Sequence, residues 1–274
     1  MIRARLILQL VAWLVSICVL APAAAQVVQN DASDVVTVTL MPGWRDGSGI
    51  HVAALKFALA PGWKTYWRAP GDGGIATQMD WSGSSNLGSV GVRWPTPAVF
   101  RQNGMRSIGY RGEFVLPIEF QPTSGGPIMV DGHLKLAVCE EVCLPVSLDL
   151  HMLLPPEQTV PVVEIAAALR NTPISAAQAE VRRVNCRVFQ HGSKALMVIE
   201  LEMPPLEGRG EAMVIEAPIP SLWIGEPTLS RQGDILRATA KMATRDKTPF
   251  TLDLDHVRIT LITTRNAVDI KGCR

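Results

Sequence analysis

The chain has 274 residues, enough for one large domain or two ordinary ones, and 47% of them are hydrophobic, which is ample for packed cores. Its formal net charge is only +1, so its overall electrostatics give no reason to expect nucleic-acid binding. Five cysteines and seven tryptophans in a chain that is otherwise poor in aromatic residues are its distinctive features.

The first 25 residues have the pattern of a secretory signal peptide. Arg3 and Arg5 supply a positive start, Leu6–Leu20 is an apolar run, and Ala23–Ala25 is a small-residue cleavage site that would leave Gln26 as the first mature residue. The apolar run is short for a membrane anchor. We therefore expect an exported protein whose signal is cleaved near Ala25.

Cleavage would remove Cys18 and leave four cysteines in a chain that meets an oxidising compartment, where disulfides persist. Four cysteines allow three complete pairings. No later stretch has the length of a transmembrane helix, so no membrane span is expected after cleavage. The four cysteines are Cys139, Cys143, Cys186 and Cys273.

The first half of the mature chain reads as short strands separated by glycine and proline turns. Such a pattern without helices predicts an all-β protein built as an antiparallel sandwich. Met41–Gly49 reads as a turn, and Pro95–Tyr110 reads as a long polar loop. The predicted strands are Val35–Leu40, Ile50–Ala60, Gln78–Trp81, Val90–Trp94 and Glu113–Phe120.

An aromatic segment, residues 63–68, follows the second of these strands. In an extended chain Trp63, Thr65 and Trp67 face one way, and the three residues between and after them face the other. The aromatic side chains either fill a core and cover a sheet edge or form a binding surface, and buried aromatic residues more often pack than bind.

Cys139 and Cys143 stand between two strand-like runs, His133–Val138 and Ser147–Leu153. They therefore lie near the turn of a predicted hairpin, where their Cα atoms come close enough for a disulfide. Closing so short a loop stabilises a fold by only about 2 kcal/mol, against about 4.6 kcal/mol for a loop of about 90 residues. A disulfide between these two cysteines would thus add little to the stability of the fold, and we expect the pair to cycle between dithiol and disulfide.

The first domain is predicted to span residues 26–156, because Pro155 and Pro156 break the strand pattern. Val160–Arg170 has apolar residues at helical spacing, so residues 157–176 are predicted to be a helical linker. Residues 177–274 are predicted to be a second β-sandwich domain. Its predicted strands are Val181–Phe189, Ala195–Leu201, Ala212–Glu216, Ile235–Met242, Phe250–Leu254 and Val257–Thr263.

Cys186 lies in the first strand of this second domain, and Cys273 is one residue from the end of the chain. A disulfide between them would tie the terminal strand to the first one and close a long loop, which is the structural kind of bridge. The alternative is two free thiols, which suits an oxidising compartment less well.

Six short segments, taken together and in this order, resemble one known family: Gly62–Trp67, Pro70–Gly74, Trp94–Pro97, Tyr110–Gly112, Leu116–Ile118 and Cys139–Pro145. They resemble the N-terminal periplasmic (alpha) domain of the bacterial thiol:disulfide interchange protein DsbD and its ScsB-like relatives from suppressor-of-copper-sensitivity loci, a copper-tolerance group. The resemblance spans about Val35 to Leu154, roughly half of the mature chain.

This resemblance implies an immunoglobulin-like fold and a periplasmic protein that needs no cofactor. It also implies that reducing equivalents pass from a separate, membrane-embedded electron donor to periplasmic thioredoxin-like thiol proteins, as in a thiol:disulfide oxidoreductase system. Cys143 would meet the partner's disulfide, and Cys139 would be the resolving thiol.

The chain departs from the family pattern in three ways. It carries neither the membrane segment nor the thioredoxin-like domain that complete the full-length family, so the electron source is expected to be a separate protein. Only three residues separate its cysteines, fewer than in the best-known members. The family's aromatic cap over the cysteines has no clear equivalent, and Phe100 or Met105 is the candidate replacement. Tyr110 and Trp67 are further candidates for capping or partner docking.

Two other functions compete with thiol exchange. Cys139 and Cys143 could hold Cu(I), a metal that prefers soft ligands, with His133, His151, Met105 and Met152 as further candidate ligands. Alternatively, both cysteine pairs could be staples in an interaction module without redox activity.

Overall fold

The computed structural model describes residues 26–28 and 32–273, and the predicted signal peptide, residues 1–25, lies outside the described residues. The prediction of an all-β fold is confirmed. The described chain forms two antiparallel β-sandwiches of the immunoglobulin-like kind, and a short helix lies between them in the sequence. The exact domain boundaries stay a prediction.

Two facing sheets make up the first sandwich. One has the strand order β1-β2-β3-β9-β6, and the other has the order β11-β10-β4-β8-β7, with β5 also pairing with β10. The strands are β1 (Gln26–Val28), β2 (Val36–Arg45), β3 (His51–Leu59), β4 (Lys64–Tyr66), β5 (Gln78–Asp80), β6 (Leu87–Val92), β7 (Ala98–Gln102), β8 (Met105–Arg111), β9 (Glu113–Pro122), β10 (Ile128–Cys139) and β11 (Cys143–Leu154).

The first core forms because inward-facing residues alternate with outward-facing ones along these strands. Leu134, Leu136 and Val138 of β10 are buried, while their neighbours Lys135 and His133 are not. Phe57 of β3 stacks on Phe114 of β9 with ring centroids 4.7 Å apart. The hairpin of β10 and β11 keeps one uninterrupted register from Ile128↔Leu154 to Cys139↔Cys143.

The second sandwich is smaller and has the sheet orders β12-β20-β19-β15 and β13-β14-β18-β16, with β17 also pairing with β18. The short strand β12 pairs in parallel with β20. The elements are helix α1 (Val163–Arg170), β12 (Ile174–Ser175), β13 (Arg183–His191), β14 (Lys194–Glu202), β15 (Ala212–Glu216), β16 (Leu222–Ile224), β17 (Thr228–Gln232), β18 (Ile235–Thr244), a 3₁₀ helix (Leu254–His256), β19 (Arg258–Ile262) and β20 (Ala267–Lys271).

Helix α1 lies inside the segment predicted to be helical, and it packs on the first sandwich. Its fully buried Ile165 joins a small core with residues of β2, β3 and β9. Glu164 forms an ion pair with Lys56 of β3 at 2.9 Å. Within the described residues no helix is long and apolar enough to cross a membrane.

The prediction of a long loop over Pro95–Tyr110 is wrong, because this segment forms the β7–β8 hairpin. Asn103 and Gly104 both have positive φ (52° and 75°), the conformation that the tightest hairpin turns require. Gln102 and Met105 are paired at the two ends of the turn. The Asn-Gly dipeptide is a strong hairpin signal that the sequence reasoning overlooked.

Two smaller predictions also fail. The turn expected over Met41–Gly49 begins late, because β2 continues to Arg45 through an irregularity at Pro42 and Gly43. Phe250–Leu254 is not a strand, and the 3₁₀ helix begins at its last residue.

The two sandwiches meet through a mixed apolar and charged interface. Trp67, Ile108 and Tyr110 of the first sandwich share a buried cluster with Val214, Ile262 and Ala267 of the second.

Beside this cluster, Arg68 crosses between the sandwiches. Its Nε and Nη2 donate to the two carboxylate oxygens of Glu216 at 3.1 and 2.9 Å, and Nη2 also donates to the Thr260 hydroxyl at 3.1 Å. Bidentate pairing of this kind fixes geometry as well as charge, so it holds the two sandwiches in one arrangement.

Candidate functional site

Cys139 and Cys143 form a disulfide at the turn end of the β10–β11 hairpin. They are the last cross-strand pair of its register, and their Cα atoms are 4.1 Å apart. Glu140 N–H donates to the Val142 carbonyl at 3.1 Å and closes the turn between them. The continuous register of the two strands therefore ends on the two cysteines.

The two cysteines differ in their surroundings. Cys139 is 2% exposed and packs with Tyr66 and Ala137, whereas Cys143 is exposed to solvent. A reagent or protein that approaches from solvent meets the Cys143 sulfur first. Access is one of the factors that decide which sulfur of a disulfide is attacked.

Strand β4 fixes the inner side of the site. Lys64 of β4 pairs with Cys139, and the Thr65 hydroxyl donates to the Ala137 carbonyl at 2.9 Å. Because side chains alternate along a strand, Lys64 and Tyr66 both face the cysteines. Both residues line a cavity of about 130 Å³ beside the disulfide, together with Gly73, Gln102, Asn103, Met105, Ser107, Cys139, Glu140, Glu141 and Cys143.

The Tyr66 hydroxyl lies 3.8 Å from the Cys143 sulfur. A disulfide sulfur carries no hydrogen, so the hydroxyl is the donor. Burial of the phenol raises the pKa of Tyr66 above its ordinary value, which keeps the hydroxyl protonated. The same donor would be in reach of a Cys143 thiolate once the disulfide is reduced.

Lys64 is a buried cation near the sulfurs, with an exposed fraction of 4%. Burial, with a smaller contribution from nearby Arg111, lowers the pKa of its ammonium group. Its Nζ donates to the Gln102 amide oxygen at 3.0 Å. Gln102 in turn donates from Nε2 to the Glu140 carbonyl at 3.3 Å, so it connects Lys64 to the cysteine turn.

The candidate cap and docking residues separate into two groups. Met105 of β8 is 53% exposed and lines the cavity beside the cysteines. Phe100 lies on β7 and does not line this cavity. Phe100 instead packs against cations, with Arg111 at 4.7 Å and Lys64 at 5.7 Å from its ring centroid.

Trp67 and Tyr110 lie at the interface of the two sandwiches, and neither lines the cysteine cavity. Both are buried, and the Tyr110 hydroxyl donates to the Pro95 carbonyl at 2.8 Å. They therefore offer no surface to a docking partner in this conformation. Part of what buries them, Val214, Ile262 and Ala267, comes from the second sandwich, which the local aromatic pattern does not reveal.

Three site residues escaped the sequence reasoning: Lys64, Tyr66 and Gln102. The alternation of β4 contained a signal for the first two, because Lys64 and Tyr66 share the face opposite Trp63 and Thr65. Gln102 had no such signal, because its contacts with Lys64 and Glu140 depend on the β7–β8 hairpin, which the sequence analysis predicts to be a loop.

The other two cysteines, Cys186 and Cys273, are also joined by a disulfide. Their Cα atoms are 5.6 Å apart and the bond links positions 87 residues apart. Both residues are buried in the core of the second sandwich. The bond links β13 to the segment that follows β20, and both of its cysteines are shielded from solvent.

The two histidines that are candidate copper ligands, His133 and His151, lie away from the sulfurs. His133 is six positions before Cys139 on β10, about 20 Å along an extended strand. Its Nδ1 lies 2.7 Å from Asp149, and His151 Nδ1 lies 3.2 Å from Asp131. Over the part of the chain that the structure describes, no group of three or more His, Cys, Asp or Glu side chains could hold a metal ion.

Comparison with known proteins adds two findings. Residues 32–155 match the family model described as thiol:disulfide interchange protein DsbD, N-terminal. The crystal structure of the N-terminal periplasmic domain of ScsB from Proteus mirabilis is similar, with a TM-score of 0.67 and 22% sequence identity, and the match covers 88% of this chain and 93% of that one. At 22% identity the similarity to the ScsB structure shows the fold alone. Because it covers 88% of this chain, it includes residues of both sandwiches. No curated protein sequence matches the chain.

Proposed function

We propose that this chain, whose residues 32–155 form a domain of the DsbD N-terminal family of thiol:disulfide interchange proteins, passes reducing equivalents through Cys139 and Cys143. The observation that carries the proposal is the asymmetry of this disulfide, which has one buried and one exposed sulfur at the end of a hairpin. In such a pair one sulfur can meet a partner while the other stays covered.

Reduction of the pair begins when a thiolate of the electron donor attacks the Cys143 sulfur. The Cys139–Cys143 bond breaks, a mixed disulfide forms at Cys143, and Cys139 leaves as a thiolate that takes up a proton. The donor's second thiolate then attacks the donor sulfur of the mixed disulfide. This step releases the Cys143 thiolate and leaves the donor oxidised by two electrons.

Delivery to a partner runs through the same atoms. The Cys143 thiolate attacks the partner's disulfide and forms a mixed disulfide, while one partner sulfur leaves as a thiolate. Cys139 then loses its proton and attacks the Cys143 sulfur, which restores the disulfide and releases the partner's second thiolate. The partner gains the two electrons that the donor gave up.

We further propose a periplasmic location, a membrane-embedded electron donor and thioredoxin-like thiol proteins as partners. The export signal read from the sequence and the family of residues 32–155 support this assignment. In the second sandwich, the long-range, buried Cys186–Cys273 bond is assigned a structural role, since it constrains a long loop.

The proposal is tested with single-cysteine variants of the pair and a small disulfide. Purified Cys139→Ser protein, incubated with oxidised glutathione, should form a stable mixed disulfide at Cys143 that mass spectrometry detects. The Cys143→Ser protein should react at least about tenfold more slowly, because its remaining sulfur is buried. Equal rates for the two variants, or no adduct with either, would contradict the proposal.

A further inference from the structure

We infer that Glu226 of the second sandwich is a positioning residue for the cysteine pair. It holds the tip of the β7–β8 hairpin, defined here as residues 102–105, against Cys139, and so directs exchange to Cys143. This inference rests on the proposed function, and it gives the second sandwich a part in the chemistry of the first.

Glu226 lies between β16 and β17 and reaches both arms of the hairpin just behind its tip. Its carboxylate accepts hydrogen bonds from Arg101, from Nη1 at 3.2 Å and more closely from Nη2. Arg106 Nη1 lies 3.8 Å from the same carboxylate. Arg101 and Arg106 are a cross-strand pair, so one carboxylate offsets the charges of two facing arginines.

A second set of contacts anchors the same hairpin to the second sandwich. Arg106 is 5% exposed, and its Nη1 donates to the Met213 carbonyl of β15 at 2.9 Å. The Arg106 carbonyl accepts from Gly73 N–H at 3.0 Å. The neighbouring Asp72 carboxylate accepts from Trp223 Nε1 at 2.8 Å. The hairpin and the loop beneath it are therefore both held from the second sandwich.

The tip itself borders the cysteines. Gln102, Asn103 and Met105 line the same cavity as Cys139 and Cys143. Gln102 bonds to both Lys64 and the Glu140 carbonyl, which places the first residue of the tip beside the cysteine turn. The tip thus borders the cavity that Cys139 lines, and the residues just behind the tip are held by Glu226.

Removing the Glu226 charge leaves Arg101 and Arg106 facing each other without their shared carboxylate. The exposed Arg101 then loses its bidentate partner, and the almost fully buried Arg106 loses a nearby carboxylate that water replaces poorly there. The low pKa of Glu226, caused first by its hydrogen bond from Arg101, agrees with a carboxylate that stays charged in this position. Loss of the charge should let the tip open and expose the Cys139 sulfur.

The test uses the full chain after reduction with dithiothreitol and measures how iodoacetamide divides between Cys139 and Cys143, by peptide mass spectrometry. In the Glu226→Gln protein the ratio of Cys139 to Cys143 alkylation rates should rise about threefold or more. Hydrogen exchange in a peptide covering residues 100–107 should accelerate as well.

Glu207→Gln is the matched control, because Glu207 forms an exposed ion pair with Arg265 on the same sandwich and does not line the cysteine cavity. Its alkylation ratio should equal that of the unmodified chain. Arg101→Gln breaks the same hydrogen bonds to Glu226 from an exposed side chain, without leaving two facing guanidinium groups. It should raise the ratio as well, and it keeps the test open if Glu226→Gln lowers the thermal midpoint.

An unchanged ratio in both Glu226→Gln and Arg101→Gln would overturn the inference and leave the proposed function standing. A disulfide that dithiothreitol does not reduce in the unmodified chain would instead contradict the proposed function itself.

Discussion

At the scale of single residues, the cysteine site combines one exposed sulfur with two buried polar side chains, Lys64 and Tyr66, and the exposed Gln102. Tyr66 donates to the Cys143 sulfur, and Lys64 and Gln102 lie on the Cys139 side. A hydroxyl donor stabilises a thiolate more than it stabilises a neutral sulfur, because hydrogen bonds to charged groups are the stronger ones. Tyr66 is therefore the residue that most directly favours the reactive form of Cys143.

Replacing Tyr66 with phenylalanine removes this donor and keeps the ring. We expect a loss of about 0.5–1 kcal/mol of thiolate stabilisation, which corresponds to about two- to fivefold slower alkylation of reduced Cys143 near neutral pH. The rate should be recovered at higher pH, where more of the thiol is ionised. The measurement is the pH profile of the iodoacetamide reaction at Cys143.

Tyr110→Phe is the control for this variant, since its hydroxyl donates to Pro95 at the domain interface and not to a sulfur. It should leave the Cys143 profile unchanged even if it lowers stability. A Tyr66→Phe protein with the unmodified profile would mean that the hydroxyl does not act on the thiolate.

At the scale of single elements, the β2–β3 pair contains a pH-sensitive group far from the cysteines. His51 is fully buried at the start of β3, and its Nε2 donates to the Pro42 carbonyl at 2.7 Å. Its Nδ1 is buried and has no hydrogen-bond partner among the described residues. Protonation of Nδ1 would bury a charge, and this burial, with a smaller effect of Arg45, lowers the pKa of His51 below 6.5.

The sign of the resulting pH dependence follows from proton binding. Well above pH 6.5 the imidazole is neutral in both folded and unfolded chains, and its contribution to stability is complete. As the pH falls below 6.5 the unfolded chain takes up a proton that the folded chain does not, so the free energy of unfolding decreases until the lower folded pKa is reached. The loss is at most about 1.4 kcal/mol per pH unit in this window.

His51→Gln keeps a donor for Pro42 and removes the titration. Urea unfolding at pH 7.5 and 5.5 should therefore show a smaller loss of stability on acidification for this variant than for the unmodified chain. Parallel losses in the two proteins would show that His51 is not a source of the acid sensitivity.

Local features of the sequence were sufficient to predict the elements that hold the cysteines. Alternating residues of β10 and β11 and the spacing of Cys139 and Cys143 placed the sulfurs at a hairpin end, because register within a hairpin depends on neighbours in sequence. The Asn103-Gly104 turn is an equally local signal. Because Pro95–Tyr110 was predicted to be a loop, the prediction did not include β7, β8 or the position of Met105.

Features that depend on contacts between distant segments were out of reach. Neighbouring residues and the two aromatic side chains themselves gave no sign that Trp67 and Tyr110 also pack against Val214 and Ile262, which are more than 100 residues away along the chain. Glu226 and Arg101 are in contact although 125 residues separate them in the sequence, and the residues around each give no sign of this contact. No local pattern can distinguish such a carboxylate from an ordinary surface residue.

At the scale of the whole molecule, two disulfides occupy opposite environments. The Cys139–Cys143 bond closes a short loop with one sulfur exposed, and the Cys186–Cys273 bond closes a long loop inside a core. Short loops constrain the unfolded chain less, so the first bond contributes less to stability than the second. The buried long-loop bond therefore provides an internal reference for the exchange that we propose at Cys139–Cys143.

The central claim is that Cys139 and Cys143 exchange electrons with other thiols, and a redox titration tests it most directly. The folded chain would be equilibrated in dithiothreitol and glutathione buffers, quenched with an alkylating reagent and mapped by mass spectrometry. The account predicts a midpoint for Cys139–Cys143 in the range of known carriers, about −120 to −270 mV, while Cys186–Cys273 remains oxidised in the same buffers. A midpoint for Cys139–Cys143 below about −300 mV would identify it as a second structural bridge and contradict the account.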